Sequence, residues 1–146
     1  MSQRFTLAEA ESLIPLLDRL LREAVCMKAE YEEAQQILQT LNQRVTMMGG
    51  MTVNRNQAVE ARGRREVATA RLRHALELVQ GTGCQVKDLD IGLVDFPTMY
   101  RGVEVYLCWK LGEPAIDFWH GVEEGFRGRK PIDQDFRDRH RGEPEQ

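Results

Sequence analysis

The sequence predicts an α+β fold in which a long antiparallel helical hairpin precedes a small three-stranded antiparallel β-meander. Three observations carry this. Apolar residues recur at alternating spacings of three and four from Ala10 to Val45, a glycine-bearing break separates this run from a second helical pattern, and residues 103–111 switch to the two-residue period of a strand.

The first helix, expected over residues 6–46, opens at Thr6-Leu7-Ala8-Glu9. A threonine hydroxyl there accepts the amide of Glu9 while the glutamate reaches back to the amide of Thr6, the reciprocal arrangement of a capping box. Ala10, Leu13, Leu17, Leu20, Ala24, Met27, Tyr31, Ala34, Leu38, Leu41 and Val45 form a coiled-coil-like seam of about five heptads, on the order of 60 Å long. Pro15 lacks the amide hydrogen that the carbonyl of Glu11 would accept, which predicts a kink in the first turns. Residues 47–56 read as the reversing loop because they lose the pattern and hold Gly49 and Gly50. A second helix is expected over residues 57–80, with an alanine-rich seam and Gly81 as a left-handed cap. A central turn would set Leu72 beside Tyr31. Residues 9–33 hold seven acids against three bases and residues 55–73 hold six arginines against two acids, so the helices carry about −4 and +4 and attract each other antiparallel. Helix two is the shorter, and the leucines of residues 6–21 need another surface to cover them.

The β-region, residues 86–120, supplies that surface. Val103, Val105, Leu107, Trp109 and Leu111 share one face of the clearest strand, flanked by shorter candidates at residues 91–96 and 115–119. Residues 97–102 and 112–114 read as turns. One domain spanning residues 1–131 accords with the length of 146, and residues 132–146 are so polar that a disordered tail is expected.

A net charge of −3 offers no general attraction to nucleic acid or anionic lipid, and no run approaches a membrane span or a signal-peptide core, which points to a cytoplasmic protein. Cys26, Cys84 and Cys108 are odd in number and far apart, arguing against a disulfide framework or a zinc knuckle.

Polar residues capable of chemistry gather in the β-region: Asp88, Asp90, Asp95, Glu104, Cys108, Glu113, His120, Arg127 and Arg129. Asp95 lies between Val94 and Phe96, and a carboxylate inside such a strand needs a partner; His120 is the candidate. An Asp95–His120 pair suits acid–base catalysis. With Glu113 or Glu104 added, Glu113 and His120 become candidate ligands for a divalent transition metal such as zinc, iron or manganese. A lone histidine is more often a satisfied structural residue, and none of the usual metal-ligand spacings is present. Arg127 and Arg129, in a glycine-bearing basic segment, are candidates for holding an anion, or equally for pairing with acids of the fold.

The strings VKDLDIGLVDFP (residues 86–97), VYLCWKLGE (residues 105–113), FWH (residues 118–120) and GFRGR (residues 125–129), with RFTLAEA at residues 4–10, resemble the signature of an uncharacterised family of small bacterial proteins described as a domain of unknown function. The resemblance spans residues 4–131. It implies a bacterial cytosolic setting and transfers no catalytic residue.

Two readings of function remain open. One is a non-enzymatic interaction protein whose helical seam drives self-association, a homodimer being favoured. The other is a small metal-binding protein or enzyme with a site at Asp95, Glu113 and His120. Nucleic-acid binding ranks last, because the arginines of the second helix already face an acidic one.

Overall fold

The computed structural model describes residues 3–47 and 55–143, so most of the reversing loop expected at residues 47–56 falls outside the described residues. Contacts group the chain into two compact units, one of Met1–Arg22 with Glu77–Gln146 and the other of Glu23–Leu76.

In the first unit, α1 (Leu7–Ser12) begins at the capping box: Glu9 N donates to Thr6 Oγ1 at 3.2 Å and Thr6 N to Glu9 Oε1 at 3.1 Å. Pro15 acts more strongly than a kink. The first helix ends at Ser12, and α2 (Ile14–Met47) starts after Leu13, which keeps helical angles of φ −86° and ψ −12°. With no donor at Pro15, the ladder resets through Leu13 N to Ala10 O (3.1 Å) and Leu17 N to Leu13 O (2.9 Å). The next helix, α3 (Arg55–Gly81), runs through the glycine expected to cap it. The left-handed residue is Gly83 (φ 98°), packed so tightly that an added Cβ would lie 3.0 Å from the Phe5 ring.

The antiparallel sheet is larger than the three-strand meander expected. Strands β1 (Gln85–Asp88), β2 (Leu93–Tyr100), β3 (Val103–Lys110), β4 (Phe118–Gly121) and β5 (Lys130–Pro131) lie side by side in chain order. The sixth, β6 (His140–Arg141), pairs with β2 at Met99 and Tyr100. Residues 97–100 extend β2 where a turn was expected, and the turn is Arg101-Gly102 alone, both with positive φ (54° and 75°) as a two-residue hairpin requires. Proline is tolerated in this strand because the Pro97 carbonyl accepts from Phe5 N (2.7 Å). Its nitrogen faces the same edge, away from β3, so no ladder bond is lost.

The pairing of Phe96 with Leu107 and Val94 with Trp109 puts one face of the sheet against the helices. Phe5, Leu7, Ala10, Leu17, Leu20, Leu21 and Val79 join Val94, Phe96, Val105, Leu107 and Trp109 in one buried core, so the sheet covers most of the leucines of residues 6–21, Leu16 staying exposed. The phenyl rings of Phe5 and Phe96 meet edge to face at 5.3 Å.

Residues 133–141 are structured where a disordered tail was expected. The short helix α4 (Gln134–Arg139) is capped by Asp133 and buries Phe136 completely, and Phe136 stacks on Trp119 at 5.2 Å. His140 accepts from Leu7 N at 2.9 Å and donates through Nδ1 to Phe136 O, tying the segment to the start of α1. Tyr100 donates to Asp135, which Arg101 and Arg139 also bind; these contacts hold the Asp135 carboxyl below its ordinary range. One phenylalanine amid polar residues is too weak a periodic signal to reveal this segment.

In the second unit the helices pair antiparallel through complementary charge. Arg64 bonds Glu30 (3.0 Å) and Glu33 (3.5 Å), and Arg71 bonds Glu23 (2.7 Å). Ala61, Ala68 and Ala75 are buried, as are Ala24, Met27, Ala34 and Leu41. The register differs from the one expected: with Arg71 at Glu23 and Arg64 at Glu30, Leu72 lies nearer the start of α2 than Tyr31, which is exposed to solvent. Among the described residues no helix is long and apolar enough to cross a membrane.

Truncating Phe136 tests whether the C-terminal segment is part of the fold. Phe136→Ala is expected to cost about 3–5 kcal/mol in urea denaturation, whereas a disordered tail would show no change.

Candidate metal centre

The centre lies on the face of the sheet opposite the helical core. Side chains alternate along a strand, so once Val94 and Phe96 point to the helices, Asp95 points the other way. Asp95 pairs with Cys108 on β3, Cys108 with Phe118 on β4, and Tyr106 with His120. His120 is therefore diagonal to Asp95 across β3, within reach of a long side chain. Residues 122–129, including the short 3-10 turn Phe126–Gly128, fold over this face. Asp95 and His120 are each only 2% exposed and Cys108 is fully buried.

The hydrogen bonds orient the imidazole. Its Nδ1 lies 2.8 Å from the Gly121 carbonyl, which can only accept, so Nδ1 carries hydrogen. Nε2 is thereby turned to Asp95, 3.0 Å from both Oδ1 and Oδ2, and that contact needs one proton held between ring and carboxyl. The Tyr106 ring lies against His120 at 5.5 Å between centroids. One donor atom each from Asp95, Cys108 and His120 lies within 4.8 Å of the other two. Burial, reinforced by the Asp95 charge, pushes the Cys108 thiol up to about 12. Asp95 and His120 open on a cavity of about 160 Å³ bounded by Leu93, Tyr106, Val122 and Phe126.

The pairing of Asp95 with His120 expected from sequence is present. Glu113 is held elsewhere: its Oε1 accepts from Lys110 N (2.7 Å) and from Arg129 Nη2 (2.7 Å). Glu104 pairs with Arg4 at 3.2 Å, and Asp88 accepts from Asp90 N. Arg127 is exposed, whereas Arg129 is bound into the fold. The Arg129 guanidinium stacks on Phe118 (4.2 Å) and Phe126 (4.9 Å), and also bonds the Cys108 carbonyl (3.3 Å). Its Nε is enclosed without an acceptor among the described residues. Arg129 thus pins the covering segment beside Cys108.

Cys108, which the sequence gathers with the other polar residues of the β-region, was not expected beside Asp95 and His120. Its signal was present: in an alternating strand it lies out of phase with Leu107 and Trp109, on the same face as Tyr106. Only the register puts it opposite Asp95.

A family model of uncharacterised conserved proteins, DUF2203, matches residues 3–132. The chain belongs to the DUF2203 family. No curated protein and no solved structure matches it. The part of this DUF2203 chain that the family model covers contains Asp95, Cys108 and His120 and ends at Ile132, before α4.

Thiol labelling checks this environment. Cys26 is exposed, while Cys84 and Cys108 are buried and both thiols are raised by burial. Under native conditions at neutral pH, an aromatic disulfide reagent is expected to modify Cys26 rapidly, the other two reacting only after unfolding. Rapid native labelling of a Cys26→Ser variant would contradict the burial of Cys108.

Proposed function

We propose that the chain is a non-enzymatic metal-binding protein that holds one divalent transition metal, zinc being the best match, through Asp95 Oδ, Cys108 Sγ and His120 Nε2. The observation that carries this reading is the convergence of three unlike donor groups, one from each of three adjacent strands, within 4.8 Å of one another in a buried site. A mixed carboxylate, thiolate and imidazole set suits zinc, whose tetrahedral bonds place donor atoms about 3.3–3.8 Å apart; the Asp95–His120 contact of 3.0 Å needs only a small opening. The second shell supports it. Gly121 O holds the His120 Nδ1 hydrogen, the usual device for presenting Nε2 to a metal. An ionised Asp95 and Cys108 would balance a dication, and loading would displace the thiol proton and the proton between ring and carboxyl.

The cavity of about 160 Å³ beside the centre has room for a few water molecules and falls well short of a pocket for a drug-sized ligand, which favours a structural or storage role over turnover. The three free cysteines fit a reducing, cytoplasmic setting.

Elemental analysis of untagged protein purified without chelator tests the proposal. The expected result is about one zinc per chain, near zero in Asp95→Asn and Cys108→Ala variants whose circular dichroism is unchanged. Chelator should lower the Tm of the native chain by several degrees and leave the variants unaffected. Cobalt substitution should add a thiolate-to-metal absorption band that Cys108→Ala lacks. Metal-free protein that also fails to take up added zinc or cobalt would refute the reading and leave Asp95–His120 as a structural pair.

A further inference from the structure

The helix α3 carries a second stripe, facing away from its alanine seam. Val59, Gly63, Val67, Ala70, His74 and Leu78 follow spacings of four, four, three, four and four, so they lie within about 100° of one another on the helix surface. This 11-residue period is close to that of a straight helix, and the stripe stays on one face along α3. It has no cover among the described residues: Val59 is 59% exposed, Val67 58% and Leu78 45%. A side chain at Gly63 would meet nothing within 4 Å, so another backbone can approach closely there. Beside the stripe, between the two helices of the second unit, a groove of about 460 Å³ lined by Cys26, Met27, Gly63 and Val67 continues the apolar surface.

We propose that this face binds the same face of a second copy of the chain, with the two α3 helices antiparallel. Charge selects the occupant. When Val67 lies opposite the partner's Ala70, Gly63 meets the partner's His74 and Val59 the partner's Leu78. One flank of the stripe then sets Arg62 beside the partner's Glu77 and Glu66 beside the partner's Arg73, and the two-fold axis repeats both pairs. None of Arg62, Glu66, Arg73 and Glu77 has an ion-pair partner within the chain among the described residues. On the opposite flank Arg64 and Arg71 are already occupied by Glu30, Glu33 and Glu23. A parallel arrangement offers Glu66 only the partner's Arg71, which is bound to Glu23, and leaves Arg62, Arg73 and Glu77 without complements. The pattern of charges is thus self-complementary in one orientation. Each exposed pair contributes little energy, so the apolar stripe supplies affinity and the charges set direction.

Light scattering on the full chain across a concentration series, with charge-swap variants, tests this. The native chain is expected at twice 16.8 kDa, and Val67→Glu, altering an exposed side chain, at 16.8 kDa with unchanged helical circular dichroism. Glu66→Arg and Arg73→Glu should each weaken the dimer several-fold, and the Glu66→Arg/Arg73→Glu double variant should restore it. A native chain that stays at 16.8 kDa throughout, a Val67→Glu protein that remains dimeric, or a double variant no tighter than either single would overturn the proposal.

Discussion

The unbroken pairing of β2 with β3 over eight residues governs what else in the first unit is able to meet. With a side-chain period of two, shifting that register by one residue would turn every side chain of β2 to the opposite face relative to its neighbours. In the register adopted, Phe96, Leu107 and Trp109 form the floor of the core under α1 and the start of α2. The same register leaves Asp95 and Cys108 facing each other on the other side, where β4 brings His120 across. Core and candidate centre are therefore two faces of one hydrogen-bonding pattern.

The second face is costly. A carboxyl, an imidazole and a thiol buried together give up solvation that an apolar trio of similar volume would not, and a buried pair of this sort is weak evidence for stability. The Gly121 carbonyl and the Asp95–His120 contact satisfy the imidazole nitrogens and the carboxyl, and the ring of Tyr106 packs against the imidazole, without making the arrangement cheap. A centre that spends stability in this way, and is closed by a segment itself pinned by Arg129, is what metal ligation would repay. Arg129 links the two sides of this cover, since it touches Phe118, Phe126, Glu113 and the backbone of Cys108.

The second unit obeys a different constraint. A seam of alanines lets α3 lie close to α2 but buries little area per residue, so charge contributes the register: Arg64 and Arg71 reach acids of α2. Small residues facing inward also leave the larger valines of α3 facing outward. The stripe of Val59 and Val67 is the counterpart of that choice, and the charges along one flank of it, Arg62, Glu66, Arg73 and Glu77, alternate in sign.

Local signals were legible without coordinates. Thr6 and Glu9 marked a cap, Pro15 a disturbance in the first helix, and the alternation from Val103 to Leu111 a half-buried strand. The partnership of Asp95 with His120 could also be inferred, because a carboxylate between Val94 and Phe96 has to be answered by something. These features depend on neighbours within a few residues, or on the cost of burying one group. What tertiary structure alone decided were the matters of register and long-range contact. Pro97 continues a strand because its carbonyl meets Phe5, Glu113 is drawn away from His120 by Arg129, and Cys108 lies opposite Asp95. A nearly all-polar C-terminal segment folds because Phe136 finds Trp119 and His140 finds the first amide of α1. Each of these joins residues well separated in the chain, and the free energy that selects them comes from burial and hydrogen bonds that exist only once the sheet has formed.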